Sequence, residues 1–130
     1  MIAYVPISIG ELLDKITILQ IKMDRIRNPD KLVNISNELR CLMEIYEQHN
    51  LEGHADFDDL YQDLIVANQE LWELEDQVRE LMAQPTSDQE FIDTAVLIHR
   101  TNDRRAAIKK QINIAYKSDL IEEKSYKEAP

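Results

Sequence analysis

Four blocks of apolar residues follow one another at alternating steps of three and four, the spacing that places side chains on one face of an α-helix. The first is Leu12, Ile16, Leu19, Met23 and Ile26, and the second is Leu32, Ile35, Leu39, Leu42 and Tyr46. The third is Phe57, Leu60, Leu64, Ala67, Leu71, Leu74, Val78 and Leu81, with Tyr61, Ile65 and Trp72 beside the stripe. It predicts a helix about 40 Å long at 1.5 Å per residue. The fourth is apolar at both ends, through Phe91, Ile92, Ala95, Val96 and Ile98 and then Ile108, Ile112 and Ala115. Its middle is polar, Thr101-Asn102-Asp103-Arg104-Arg105. Continuing the stripe from Phe91, Ala95 and Ile98 brings Asn102, Arg105 and Lys109 to core-facing positions.

Start and stop signals frame these blocks. Ser8-Ile9-Gly10-Glu11 is a capping box, with Ile7 and Leu12 placed as a hydrophobic staple, so the first helix is expected over about Ile9–Arg27. Asn28-Pro29 ends it and opens the second, since Asn caps well and Pro fits the first helical position. Residues 50–55 read as a loop. Asp56 reads as the cap of the third helix, which Pro85 stops. Ser87-Asp88-Gln89-Glu90 is a second capping box, opening a helix to about Tyr116. The expected fold is all-α: four long helices as two antiparallel hairpins in one domain spanning 1–130. Residues 1–7 form an extended lead, and a tail over 117–130 docks in part through Leu120, Ile121 and Tyr126.

Only two glycines and four prolines occur in 130 residues, which agrees with few, long elements. With 44% hydrophobic and 31% charged residues the chain is globular rather than disordered. No apolar run reaches the roughly 20 residues that span a bilayer, and no signal peptide is recognisable. A cytoplasmic protein without membrane association is expected. The single cysteine, Cys41, excludes an intrachain disulfide and reads as a small core residue.

The net charge of −10 is unevenly spread: residues 44–93 hold 15 acids and one base, Arg79, while residues 100–117 hold six bases and one acid, Asp103. In an antiparallel hairpin the basic run (Arg100, Arg104, Arg105, Lys109 and Lys110) lies beside Asp56, Asp58, Asp59, Asp63 and Glu70. The bases are then neutralised within the chain, and nucleic acid is not an expected partner.

The polar interruption is the main candidate for chemistry. Buried polar groups need partners. Asn68, expected across from Arg104, Glu75 one heptad further along the third helix, and Asp14, Lys15 and Thr17 in the first helix are placed to supply them. Two readings stand for Asp14, Lys15, Asn68, Asn102, Asp103, Arg104, Arg105 and Lys109. One is a satisfied network that fixes register in an interaction module, as polar seam residues do in coiled coils. The other is a site for an anionic metabolite such as a phosphate, nucleotide or sugar nucleotide, since guanidinium grips such groups bidentately. There Asp14 is an available acid or base.

Two weaker patterns occur. Glu70-x-x-Glu73 and Glu90-x-x-Asp93 have the form found in all-α nucleoside triphosphate pyrophosphohydrolases, where such carboxylates hold Mg²⁺. With the turn near residue 86, however, the two pairs fall about 13 Å apart along the hairpin. His54 with Asp56, Asp58 and Asp59 is a conceivable hard-metal group, although aspartates at a helix start are ordinary. Outside the Mg²⁺ alternative no cofactor is expected.

Two longer motifs carry a resemblance. Ile7-Ser8-Ile9-Gly10-Glu11-Leu12-Leu13-Asp14-Lys15-Ile16-Thr17-Ile18-Leu19 is similar to the opening of a small family of uncharacterised bacterial and phage proteins. Thr101-Asn102-Asp103-Arg104-Arg105-Ala106-Ala107-Ile108-Lys109, followed by Glu122-Glu123-Lys124-Ser125-Tyr126, resembles its close. The resemblance implies a helical domain of unknown function and brings no catalytic residue. The third helix is apolar over more than one face, through Trp72, Tyr61 and Ile65 beside the stripe, and a long hairpin overhanging a shorter one exposes that surface, which points to a homodimer.

Overall fold

Ser8 opens the first helix. Its backbone is extended and its Oγ accepts from the Glu11 N–H at 3.1 Å, the N-cap bond expected from the sequence. The reciprocal half of the capping box does not form, because the Glu11 carboxylate turns instead to Lys109. In a computed structural model that describes residues 1–53, 57–85 and 88–125, four helices follow in chain order. They are α1 (Ile9–Arg25), α2 (Pro29–Gln48), α3 (Phe57–Ala83) and α4 (Asp88–Ala115), with a short 3₁₀ turn at Leu51–Gly53. The sites expected at His54, Asp56, Ser87 and Tyr126 lie outside the described residues, as does the Phe57 side chain.

The architecture is the expected all-α pair of hairpins. Asn28 caps α2 by accepting from the Asp30 and Lys31 N–H groups. α1 ends at Arg25, two residues before the expected Arg27, because Ile26 already takes an extended conformation. The tight connection folds α2 back onto α1. α3 and α4 pack along each other, and α1 also lies against both. Leu12, Leu13 and Ile16 of α1 meet Leu64 and Ala67 of α3 and Ile108 and Ile112 of α4 in one core. Tyr46 of α2 and Leu51 of the 3₁₀ turn close it. Each fully buried Leu or Ile contributes roughly 1.5–3 kcal/mol. Leu51 is only 4% exposed, so the segment read as a plain loop also supplies core. Cys41 is half-buried rather than buried.

The seam of α4 runs one residue earlier than expected. Thr94 and Thr101 are buried, while Phe91 and Ala95 are exposed and Asn102 is half-buried. The threonines tolerate the interior because each hydroxyl donates to the carbonyl four residues back, Thr94 to Glu90 and Thr101 to Leu97. Their methyl groups are then free to pack. No described helix is long and apolar enough to cross a membrane.

Candidate functional site

The polar cluster starts from Asp14 on the buried face of α1. The residue is 4% exposed, and its carboxylate accepts from Asn68 Nδ2 at 2.8 Å. The same amide nitrogen donates to Thr17 Oγ1 at 2.9 Å, and Thr17 Oγ1 donates to the Asp14 carbonyl at 2.8 Å. Both Asn68 amide hydrogens are thereby used, so its carbonyl must face the other way. There it accepts from Arg105 Nη1 at 3.3 Å. Asp14, Asn68 and Arg105 thus form a relay from the core of α1, through α3, to the edge of α4.

Lys109, one turn along α4, closes the other side of Asp14. Its Nζ lies 3.6 Å from Asp14 Oδ2, 2.5 Å from Glu11 Oε2 and 3.7 Å from Glu122 Oε1. Burial disfavours the charged Glu11 carboxylate, but the hydrogen bond and charge of Lys109, with help from Lys15, outweigh it and hold the group below its ordinary 4.5. Burial likewise disfavours the Lys109 ammonium. Its bond to Glu11 and the charges of Asp14, Glu11 and Glu122 more than compensate and raise it above 10.5.

The signs follow by linkage. Glu11 stabilises the fold above its unfolded pKa, and that contribution disappears as pH falls through the lower folded value. Lys109 contributes fully below its unfolded pKa and loses its share as pH rises through the higher folded value. For this pair, stability is therefore expected to be level between about pH 5 and pH 10. In Lys109→Met the acid-side fall due to Glu11 should shrink or change sign, because without Lys109 burial pushes the folded carboxyl back up and only Lys15 and Glu122 oppose it. Urea midpoints measured across pH check this; an unchanged acid limb would refute the pairing.

Glu122 belongs to the tail. Lys117 takes a left-handed conformation at φ 53°, and Ser118 N–H returns to the Asn113 carbonyl at 2.8 Å, which ends α4 in a Schellman-type turn. The chain then crosses the start of α1. The Ile9 N–H donates to Ser118 Oγ at 3.1 Å, the Gly10 N–H to Asn113 Oδ1 at 2.6 Å, and Ser8 Oγ to Glu122 Oε1 at 3.1 Å. The first N–H groups of a helix have no partner within it. Here the end of α4 and the tail supply them. Polar groups dock this tail, and Leu120 and Ile121, each 44% exposed, share a hollow with Pro6 and Ile7.

Three of the predicted residues lie outside the cluster. Lys15 points outward at 46% exposure of its side chain and, among the described residues, pairs only with Glu11. Asp103 pairs with His99 on the outer face of α4. Arg104 is ion-paired to Glu70, and Asn68 meets Arg105 in its place. The hairpin register thus differs by one residue from the expected one. Among the described residues, Arg104–Glu70 is also the one ion pair joining the acids of α3 to the bases of α4. Lys110 turns to Glu123 of the tail. Glu73 pairs with Arg25 of α1, and Asp93 accepts from Gln89. Glu70 and Glu73 are therefore not brought together with Glu90 and Asp93. Among the described residues no three His, Cys, Asp or Glu side chains group as a metal site requires.

Beside the relay a groove of about 480 Å³ opens between α1, α3 and α4. Ile18, Leu71 and Trp72 form its apolar wall, and Asn68, Asn102 and Arg105 face it at one end. Glu75, Asp76 and Arg79 lie at the other, where Arg79 Nη1 is 3.5 Å from Asp76 Oδ1. Arg105 is half-buried, and Asn68 is its one hydrogen-bond partner among the described residues. No carboxylate of the described residues pairs with it. Glu75, expected together with Asn68 as a partner for the polar stretch of α4, lines this groove, as does Trp72, expected as apolar surface beside the α3 stripe; Arg79 is marked by no pattern in the sequence.

A family of unknown function, DUF6165, matches residues 3–130. The chain belongs to this family. The match spans both motifs, the α1 opening and the α4–tail close, and the structure brings them together at Ser8, Gly10, Asn113 and Glu122 of this DUF6165 domain. No curated protein and no solved structure matches the chain.

Proposed function

We propose that the chain is a cytoplasmic, non-enzymatic binding protein whose groove takes a small anionic metabolite, a phosphate ester or sugar nucleotide, on Arg105. The observation that carries this reading is the state of that guanidinium. Every other charged member of the cluster has an opposite charge beside it: Lys109 has three carboxylates, and Asp14 has Lys109. Arg105 has lost part of its water, and among the described residues it has only an amide oxygen, at 3.3 Å. A partly desolvated guanidinium favours a ligand anion, which it can grip through two parallel hydrogen bonds. The volume lies in the range of small-molecule sites. Trp72 and Leu71 offer apolar surface, and Asn102 and Glu75 offer partners for hydroxyl groups.

Asp14 favours binding over catalysis. It is turned to Asn68 and Lys109 inside the bundle and does not line the groove, so it is badly placed to exchange protons with a molecule there. The competing reading makes Arg105 one more structural member of the network, serving the bundle alone.

Thermal shift and titration calorimetry with inorganic phosphate, nucleotides and sugar nucleotides separate the two. A ligand at a hundred times its Kd stabilises by about 2.7 kcal/mol. Arg105→Met is expected to weaken such binding by about ten- to a hundredfold, with a small change in melting temperature. If no probe stabilises the protein and Arg105→Met costs roughly 2 kcal/mol or more in urea melts, the guanidinium is structural and the proposal fails.

A further inference from the structure

Beyond its polar start, α4 is apolar on nearly every side over residues 91–98, just over two turns. Phe91, Ile92, Ala95, Val96, Leu97 and Ile98 leave only Asp93 and Thr94 as polar positions in that stretch. A helical segment of this kind is ordinarily covered all round. Here α3 covers one side only: Ile92 is 52% exposed, Val96 41% and Leu97 49%. Helical spacing puts Ile92 and Val96 on the face opposite the buried Thr94 and Thr101.

Charge on that outer face is arranged in a particular order. Asp93 lies before Val96 and Arg100 after it on the same side of the stripe, two turns beyond Asp93; His99 and Asp103, further along the face, pair with each other. Asp93 and Arg100 are both exposed. Asp93 accepts from Gln89 within its own helix, and among the described residues no opposite charge pairs with it or with Arg100. Acid, apolar centre and base in this order are self-complementary. When two copies of the face run antiparallel about a twofold axis near Val96, each Asp93 comes opposite the partner copy's Arg100, and the valines meet at the axis. An isologous interface requires this kind of match, and opposite charges on its rim set register and suppress other pairings.

We infer that this face of α4 is a homodimer interface, closed by Ile92 and Val96 and keyed by Asp93 against Arg100 of a second copy. The groove holding Arg105 opens on another side of the helix, so the two properties are separable.

Sedimentation equilibrium at micromolar concentration is expected to give twice the 15.2 kDa chain mass. Val96→Glu, at an exposed position, should give a monomer with unchanged far-UV circular dichroism. Asp93→Arg and Arg100→Asp each place like charges opposite one another and should each weaken self-association by on the order of tenfold or more. Mixed in equal amounts, the two variants should pair with each other and regain the dimer mass. A wild-type monomer, a dimer that survives Val96→Glu, or charge variants that fail to rescue each other would overturn the assignment.

Discussion

Gly10→Ala should destabilise the protein by about 2–3 kcal/mol, lowering the melting temperature by roughly 10 °C. The sign is opposite to the usual one, since replacing glycine by alanine within a helix ordinarily gains about 0.5–1 kcal/mol. A Cβ at Gly10 would lie 2.6 Å from the Lys109 carbonyl oxygen, 2.9 Å from Asn113 Oδ1 and 3.2 Å from the Lys109 carbonyl carbon. Two of these atoms are backbone, in the middle of a turn of α4, and cannot move aside without shifting the helix. The glycine is required by close approach: it lets the start of α1 come near enough for its N–H to reach Asn113 at 2.6 Å. Asn113 is 1% exposed, and Asn113→Ala would leave that N–H buried without a partner, at about 1–3 kcal/mol. It would relieve only the side-chain part of the clash, so the double variant should not recover wild-type stability. Urea denaturation of the three proteins decides the matter. A gain in stability for Gly10→Ala would mean that α1 is not held against α4 in this way.

The contrast between Gly10 and Asn68 indicates what the sequence makes legible. Asn68, Asp14, Arg105 and Lys109 stand out because each interrupts or borders an otherwise apolar stripe, and interruption of a pattern is local information. The four helices are legible for the same reason. A stripe gives a face only to within one residue, however, and one residue turns a side chain by 100° on a helix. That error placed Arg104 rather than Arg105 against Asn68, and Asn102 rather than Thr101 in the seam. Lys15 and Asp103 share the two longer motifs with cluster members, yet adjacent residues point to different sides of a helix. The joint of Ser8, Gly10, Asn113, Ser118 and Glu122 was not legible at all. Its partners are about a hundred residues apart in sequence and meet only because α1, α3 and α4 pack as they do. One trace of it exists: of two glycines in the chain, one stands in the first turn of a helix, where nothing local needs it.

Asp14→Ala is the second substitution expected to cost about 3 kcal/mol. Removing one partner of a buried charge pair ordinarily costs about 3–5 kcal/mol, because the other charge is left in low dielectric. Lys109 keeps Glu11 and Glu122 nearby, which places the expectation at the lower end. Asp14→Asn keeps an oxygen for the Asn68 amide and should cost less. The two variants separate the hydrogen bond from the charge in the same melts, and a loss under about 1 kcal/mol for Asp14→Ala would show the carboxylate to be dispensable. The consequence reaches beyond stability. The Asn68 carbonyl faces Arg105 because its amide hydrogens are held by Asp14 and Thr17. With Asp14 gone, one of those restraints is lost and the guanidinium is less firmly aimed at the groove. A protein that uses Arg105 to hold an anion should then lose affinity even while folded, although Asp14 touches no part of the groove. Asp14→Asn should retain more of that affinity than Asp14→Ala. If both variants bind a stabilising anion as tightly as the wild type, the relay from core to groove carries structure only.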